Sequence, residues 1–230
     1  MASQIHILSS MATKQLLADL VAQFQQSHAQ QDILVESVGG VDAARRVQSG
    51  EALDAVVLAA NVIDQMTEAG HIVAGSRVDL VVSGVYVAVR AGAPRPDIGS
   101  ETALRQAVLD AGTIGYSTGP SGVYLSKLFE RWGIADQIKD RTVQAKPGIP
   151  VGTLIAKGEV DLGFQQLSEM MNVPGIDIVG PLPPGLQVMT TFSAGVAATC
   201  TRQDTVRELL AFMASADAAE IKRKNGMDPA

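Results

Sequence analysis

The segment Tyr116-Ser117-Thr118-Gly119-Pro120-Ser121-Gly122-Val123-Tyr124 joins a short apolar strand at 113–115 to a predicted helix that includes 125–132. The first amide groups of a helix have no partner within the helix, and the helix dipole is positive at that end. The hydroxyl groups of Ser117 and Ser121 add further donors. The segment therefore favours a small anion such as a carboxylate or a phosphate. The alternative is an ordinary loop in which Ser121 only caps the helix.

Strands and helices alternate on both sides of this segment. Before it, the apolar runs 5–8, 33–35 and 55–58 each precede a helical pattern. After it, the run 142–145 precedes a helical pattern at 150–156, which leads into a further strand at 161–164. Strict alternation with apolar strands predicts an α/β fold with mainly parallel sheets that helices cover.

A turn-rich break at 91–96 divides the alternating pattern into two series and predicts two lobes. The Pro- and Gly-rich segment 173–187 is expected to run back between them. A strand at 192–199 would then return the C-terminal helices of 203–225 to the first lobe. The two series predict a ligand cleft between the lobes that closes by a hinge, with one continuous doubly wound domain as the alternative. The predicted bounds are 1–82 and 192–230 for lobe 1 and 83–191 for lobe 2.

Composition excludes several classes of function. The chain has 230 residues, a formal charge of −6 and 47% hydrophobic residues, which argues against a nucleic-acid partner. The single cysteine, Cys200, cannot form an intramolecular disulfide, and three scattered histidines give no metal-ligand spacing. No apolar run approaches the length of a membrane helix, so no membrane insertion is expected. We expect neither a metal nor a cofactor.

The candidate ligand-binding residues follow from the rule that ligands collect at the carboxyl ends of strands in such sheets. Arg46, or its neighbour Arg45, could clamp a carboxylate with two hydrogen bonds, or could lie on a solvated helix face. The other candidates supply hydroxyl, backbone amide or side-chain amide donors. The full set is Ser9, Ser10, Gly40, Arg46, Ser83, Ser117, Ser121, the amides of Gly122 and Val123, and Gln166.

Four segments resemble the molybdate-binding-protein family, which has the type II periplasmic-binding-protein fold. They are Ser9-Ser10, 48–55, 120–124 and 156–163, in the order that the family has them. The chain departs from that family at two anion-binding positions. Gly39-Gly40 stands where the family has a serine-rich loop, and Gln166 stands where it has a tyrosine.

Other segments are more similar to the family of aconitate isomerase and its relatives, which share this fold. They are 76–80, 87–94, 121–126, 163–169 and 173–180. This resemblance implies binding of a small tricarboxylic acid and an allylic proton shift between its cis and trans forms.

An allylic shift needs a base beside the substrate and donors that stabilise the enolate-like anion. Lys14, in the first turns of the first helix, and Tyr116, in the anion loop, are the predicted catalytic residues. Glu169 is a further candidate, and each of the three could instead be structural.

The sequence thus supports two functions. The first is a cofactor-independent isomerase that acts on a small di- or tricarboxylate. The second is the substrate-binding component of an ABC importer for molybdate-like oxyanions or organic acids, in which case an ABC permease is a partner. As the sequence stands, the N-terminus carries no secretory pattern, which predicts a cytoplasmic protein, or a periplasmic one if a signal peptide has been removed.

Overall fold

The structure, a computed structural model, describes residues 4–230, so the first three residues of the predicted lobe 1 lie outside the described part. The strands of this part are β1 (Ile5–Ser10), β2 (Ile33–Val38), β3 (Ala55–Ala59), β4 (Val78–Arg90), β5 (Ile114–Tyr116), β6 (Thr142–Gln144), β7 (Leu162–Gln166), β8 (Ile176–Pro181), β9 (Met189–Val196) and β10 (Asp228–Pro229). The α-helices are α1 (Lys14–Ser27), α2 (Gly40–Gln48), α3 (Ala60–Glu68), α4 (Glu101–Asp110), α5 (Pro120–Arg131), α6 (Ala135–Ile138), α7 (Val151–Ala156), α8 (Leu167–Met170), α9 (Gln203–Ala214) and α10 (Ala219–Lys224).

The chain divides into two compact units. The first comprises the residues up to Ser83 together with Thr190–Ala230, and the second comprises Gly84–Met189. The chain passes from one unit to the other within β4 and again at the start of β9.

The first unit has a sheet in the order β2-β1-β3-β9-β4, with β10 on β4. Strand β1 is parallel to β2 and β3, whereas β9 is antiparallel to β3. One face packs against α1, α9 and α10 through side chains that include Leu17, Phe24, Leu209 and Met213. The C-terminal helices therefore contribute to the core of the first unit, because their apolar faces cover its sheet.

The second unit has strands in the order β4-β7-β5-β6, with β8 on β4. Strand β5 is parallel to β6 and β7, whereas β4 is antiparallel to β7 and β8. Leu125, Phe129 and Phe164 form part of the core under α5, and Val151 and Ile155 form part of the core under α7.

Two sequence predictions need correction. The sheets are mixed and not mainly parallel, because β9 runs antiparallel to β3, and β4 runs antiparallel to β7 and β8. The segment 173–187 contains β8, which pairs antiparallel with β4, so it is not an irregular connection. Its alternating apolar residues form a strand despite the flanking glycines and prolines.

Candidate functional site

In the first unit, the candidate residues lie where three parallel strands end. Helices follow β1, β2 and β3 closely, so the carboxyl ends of these strands and the starts of the helices share one edge of the sheet. Ser9 and Ser10 are the last residues of β1, and Gly40 is the first residue of α2. The sequence prediction had placed these residues at such an edge.

Ser9 is fully buried and its hydroxyl is already paired. Its Oγ lies 2.7 Å from Oγ of Ser37 on the adjacent strand β2 and also contacts the carbonyl oxygen of Ser10. Ser37 was missed in the sequence analysis because its role depends on the register of β1 against β2. Ser9 therefore joins two strand ends and has less free hydrogen-bonding capacity than Ser10.

The hydroxyl of Ser10, unlike that of Ser9, has no partner among the described residues. Its oxygen atom is buried. A Cβ atom at Gly40 would lie 3.9 Å from Cβ of Ser10, so the start of α2 lies directly beside this hydroxyl. A buried hydroxyl without a partner is costly, and a bound polar ligand would remove the cost.

Ser83 is a second buried hydroxyl without a partner. It lies in β4, is 1% exposed, and finds no hydrogen-bond partner within residues 4–230. Ser83 is a candidate from the sequence because it is a small polar residue in a long apolar strand.

Arg46 is held by the protein itself. Its guanidinium donates two hydrogen bonds to the carboxylate of Glu36, at 2.5 and 2.8 Å, and two to that of Glu51, at 2.6 and 2.5 Å. These hydrogen bonds are the main reason why the pKa of each glutamate lies below its ordinary value. With four of its donors committed to two carboxylates, Arg46 is not placed to clamp a ligand carboxylate, and this geometry does not support the predicted role.

Lys14 is the first residue of α1 and is exposed. A proton-transfer residue has to act on a ligand that is shielded from water, whereas the side chain of Lys14 is exposed to solvent. The structure thus gives no support to Lys14 as the proton-transfer residue.

In the second unit, the anion loop has the predicted strand–loop–helix form. It connects β5 to α5, which begins at Pro120. Oγ of Ser117 accepts a hydrogen bond from the amide of Gly119 at 3.2 Å and lies 3.4 Å from Oγ of Ser121. Ser121 is 3% exposed and lies in the first turn of α5, where the dipole favours negative charge.

The backbone amides of Gly122 and Val123, at the start of α5, differ in their hydrogen bonding. A Cβ atom at Gly122 would lie 1.6 Å from the carbonyl oxygen of Ser117, so only glycine fits this turn. The amide of Gly122 precedes the first intrahelical bond and is free to face an anion. The amide of Val123 already donates to the carbonyl oxygen of Gly119 at 3.1 Å, so the prediction that it binds the ligand is not supported.

Tyr116, the last residue of β5, is unsuited to accept a proton at neutral pH. Burial, aided by the charge of Glu130, raises the pKa of its phenol above the ordinary value. Its ring packs against Phe129, with centroids 6.1 Å apart. The phenol therefore stays protonated at neutral pH, and Tyr116 can donate a hydrogen bond but does not fit the predicted role of base.

Gln166 carries the strongest sign of a ligand site in the second unit. It is the last residue of β7, which lies beside and parallel to β5, with Phe164 opposite Tyr116. Its side chain is 1% exposed, and neither its Oε1 nor its Nε2 has a hydrogen-bond partner among the described residues. A buried primary amide with both ends unsatisfied indicates a missing polar partner.

The neighbouring Gln165 has a different role, which the sequence analysis missed. Its Oε1 accepts a 2.7 Å hydrogen bond from the amide of Val151, and its Nε2 donates a 2.7 Å bond to Oε1 of Glu169. Burial raises the pKa of Glu169 to about 7, although the bond from Gln165 opposes the rise. Glu169 is therefore a partly buried carboxyl group that is able to gain and lose a proton near neutral pH.

Residues 4–230 also bear on metal binding and on membrane insertion. No group of three or more His, Cys, Asp or Glu side chains among these residues is arranged to hold a metal ion. None of the helices in this part of the chain is long and apolar enough to span a membrane.

Comparison with known proteins identifies related sequences and folds. Residues 5–228 match the model of a family described as bacterial extracellular solute-binding protein. An aconitate isomerase from a Pseudomonas species is 40% identical over 189 residues, which cover 80% of this chain and 70% of that protein. This match confirms the predicted resemblance.

Two solved structures show the same fold at low identity. The periplasmic molybdate-binding protein of Azotobacter vinelandii is 16% identical with a TM-score of 0.80, over 97% of this chain and 98% of that one. A tungstate ABC transporter structure from Geobacter sulfurreducens is 15% identical with a TM-score of 0.73, over 96% and 98% of the two chains. These likenesses confirm the predicted periplasmic-binding-protein fold but, at such identities, carry no information on the ligand.

Proposed function

We propose that this protein binds a small tri- or dicarboxylate and isomerises aconitate. The chain belongs to the bacterial extracellular solute-binding protein family and is 40% identical to an aconitate isomerase. The identity to the isomerase carries the choice of reaction, because one fold hosts both binding proteins and enzymes. The class of ligand is therefore inferred from the residues at the strand ends.

Those residues suit a carboxylate in both units. Ser10 and Ser83 in the first unit, and Gln166 in the second, are buried polar groups that lack a protein partner. Ser121 and the amide of Gly122 add donors at the positive end of α5. Hydroxyl and amide donors of this kind bind carboxylate oxygens and stabilise negative charge as it develops during proton abstraction.

The reaction itself is a redistribution of one proton and one double bond. A base removes a proton from the methylene carbon of aconitate, and the resulting allylic anion spreads its charge into the adjacent carboxylates. Return of a proton to the other allylic carbon moves the double bond and exchanges the cis and trans forms. Fixed donors at the carboxylates lower the barrier because they interact most strongly with the anion.

The second candidate function is that of a substrate-binding component of an ABC importer, with a permease as partner. The family description favours it. Hydroxyl and amide donors at the strand ends suit an oxyanion as well as a carboxylate. The word extracellular in the family description favours a location outside the cytoplasm, which N-terminal sequencing of the protein purified from its natural host would test.

The test is incubation of the purified protein with pure cis-aconitate or pure trans-aconitate, with the isomer ratio followed by proton NMR. The proposal predicts that both samples approach the same ratio at a rate proportional to protein concentration. Stable isomer ratios, together with a thermal shift on adding aconitate or molybdate, would overturn the isomerase and favour the importer component.

A further inference from the structure

The carboxyl group of Glu169 is held in a defined position at the ligand-binding edge of the second unit. Glu169 lies in the first turn of α8, which begins directly after β7. Strand β5 is parallel to both β6 and β7, so the loops after all three strands, including the anion loop before α5, emerge at the same edge. Glu169 therefore shares this edge with Ser121 and Gln166.

A chain of two hydrogen bonds fixes the orientation of this carboxyl group. Nε2 of Gln165 donates to Oε1 of Glu169 at 2.7 Å, while Oε1 of Gln165 accepts from the amide of Val151 at 2.7 Å. The amide of Gln165 is thus held at both ends, and it is 1% exposed. Only Oε1 of Glu169 is engaged in this chain, so its second oxygen is left for another partner.

The surroundings of Glu169 keep its two protonation states close in free energy. The elements packed most closely against α8 are β7 and α7, and neither carries a titratable side chain. Burial disfavours the carboxylate and the bond from Gln165 favours it, while no charged group within the described residues contributes. A group that must accept a proton and then return it works best under this balance.

We propose that Glu169 carries the proton between the two allylic carbon atoms of aconitate and that Gln165 positions it, an inference that rests on the proposed function. The carboxylate oxygen forms an O–H bond as the methylene C–H bond breaks, and the electron pair of that bond becomes the allylic anion. The same carboxyl group then returns the proton to the other allylic carbon, and the double bond moves. No electrons are gained or lost, and the step needs no co-reactant.

The other candidate bases fit this task less well. Lys14 is exposed, and the pKa of Tyr116 is raised, which keeps its phenol protonated. Glu169 is a carboxyl group that combines partial burial, a fixed orientation and a place at the edge that carries the ligand donors.

The test uses three variants of the full chain. Glu169→Gln keeps the size of the side chain and an oxygen that can accept from Gln165, but it cannot take up a proton. Glu159→Gln is the matched control, because Glu159 is exposed in the turn between α7 and β7. Gln165→Leu removes the positioning bond.

For Glu169→Gln we expect the isomerisation rate to fall by about 10²–10⁴-fold, while calorimetric affinity for trans-aconitate changes by less than about threefold. The Glu159→Gln control should keep the wild-type rate. Conversion by Glu169→Gln within about fivefold of the wild-type rate would overturn the inference and leave the proposed function standing. Absence of conversion by the wild-type protein would instead refute the proposed function.

Gln165→Leu tests whether Gln165 positions Glu169. Its readout is the pH dependence of kcat/KM, which a merely structural change would not shift. The bond from Gln165 lowers the pKa of Glu169, so its loss should raise that pKa and shift the acidic limb of the kcat/KM profile to higher pH. A profile that keeps the wild-type acidic limb would exclude Gln165 as the positioning residue.

Discussion

The raised pKa of Glu169 has a consequence for stability that does not depend on any substrate. Its carboxyl group titrates at about 7 in the folded protein and at its ordinary value of 4.5 when unfolded. The folded state therefore holds its proton more tightly, and the stabilisation from this group is complete below pH 4.5 and is lost as the pH rises through 7. A rise of this size corresponds to about 3.4 kcal/mol in total, of which about 2.5 kcal/mol is lost between pH 5 and pH 8.

Glu169→Gln removes this titration while keeping the shape of the side chain. We expect the free energy of unfolding of the wild-type protein, relative to that of the variant, to fall by about 2.5 kcal/mol between pH 5 and pH 8. Urea unfolding followed by circular dichroism measures both proteins at each pH, and the titration of every other group cancels in the difference. Glu159→Gln serves as the control and should follow the wild type.

Parallel stability curves for the wild type and Glu169→Gln, within about 0.5 kcal/mol over this range, would refute the reasoning. That outcome would mean that the carboxyl group is hydrated in solution and is not poised near neutral pH. It would also remove the electrostatic support for Glu169 as the proton carrier.

Three further predictions concern the residues that the structure reassigns or retains. Arg46→Met should destabilise the protein by about 1–2 kcal/mol at pH 7, and by less once the pH falls through the lowered pKa values of its two glutamate partners, while calorimetric affinity for aconitate stays unchanged. A large loss of affinity without loss of stability would restore its predicted ligand role. Gly122→Ala should abolish aconitate binding, because the added Cβ would overlap a backbone oxygen. In the matched control Gly119→Ala, the added Cβ meets its nearest atom at 3.4 Å, so calorimetry should show that binding is kept. Equal affinities of the two variants would contradict the turn geometry. Ser10→Ala and Gln166→Leu should each leave the free energy of unfolding in urea within about 0.5 kcal/mol of the wild-type value or raise it, and should weaken aconitate binding by about 1–2 kcal/mol. A marked loss of stability would show that these groups have protein partners after all.

Much of the fold could be predicted because local patterns determine it. The anion loop combines hydroxyl residues, Gly119 and Pro120 between an apolar strand and a helical pattern, and each of these residues favours the conformation found there. The helix nevertheless begins at Pro120, which gives the amide of Val123 its intrahelical partner. A helix start that differs by a residue or two is enough to remove a predicted donor.

The ion pairs of Arg46 and the burial of Glu169 could not be predicted from the sequence, because the groups that surround these two residues come from other elements. Glu36 lies on β2, and its pairing with Arg46 depends on how α2 packs against the sheet. The sequence shows two adjacent arginines on a helix, which is equally compatible with a ligand site and with a solvated face. In the same way, the burial that raises the pKa of Glu169 comes from the packing of α7 and β7 around α8.

Ser10, Ser83 and Gln166 were selected from sequence for their positions in or at the ends of strands, and the structure adds that their polar atoms are buried without partners. A sequence cannot reveal that, because nearby side chains or backbone groups usually satisfy such atoms. These residues are the best candidates for ligand contact because they lie in or at the ends of strands and also carry buried polar atoms without hydrogen-bond partners.

The most direct test of the proposed reaction is proton NMR of trans-aconitate in deuterated buffer with the purified wild-type protein. The proposed proton shift predicts that cis-aconitate appears and that the methylene signals lose intensity as deuterium enters the ligand from exchange at the base. Unchanged signals of trans-aconitate, in a sample where the same ligand raises the melting temperature, would contradict catalysis and leave a carboxylate-binding protein.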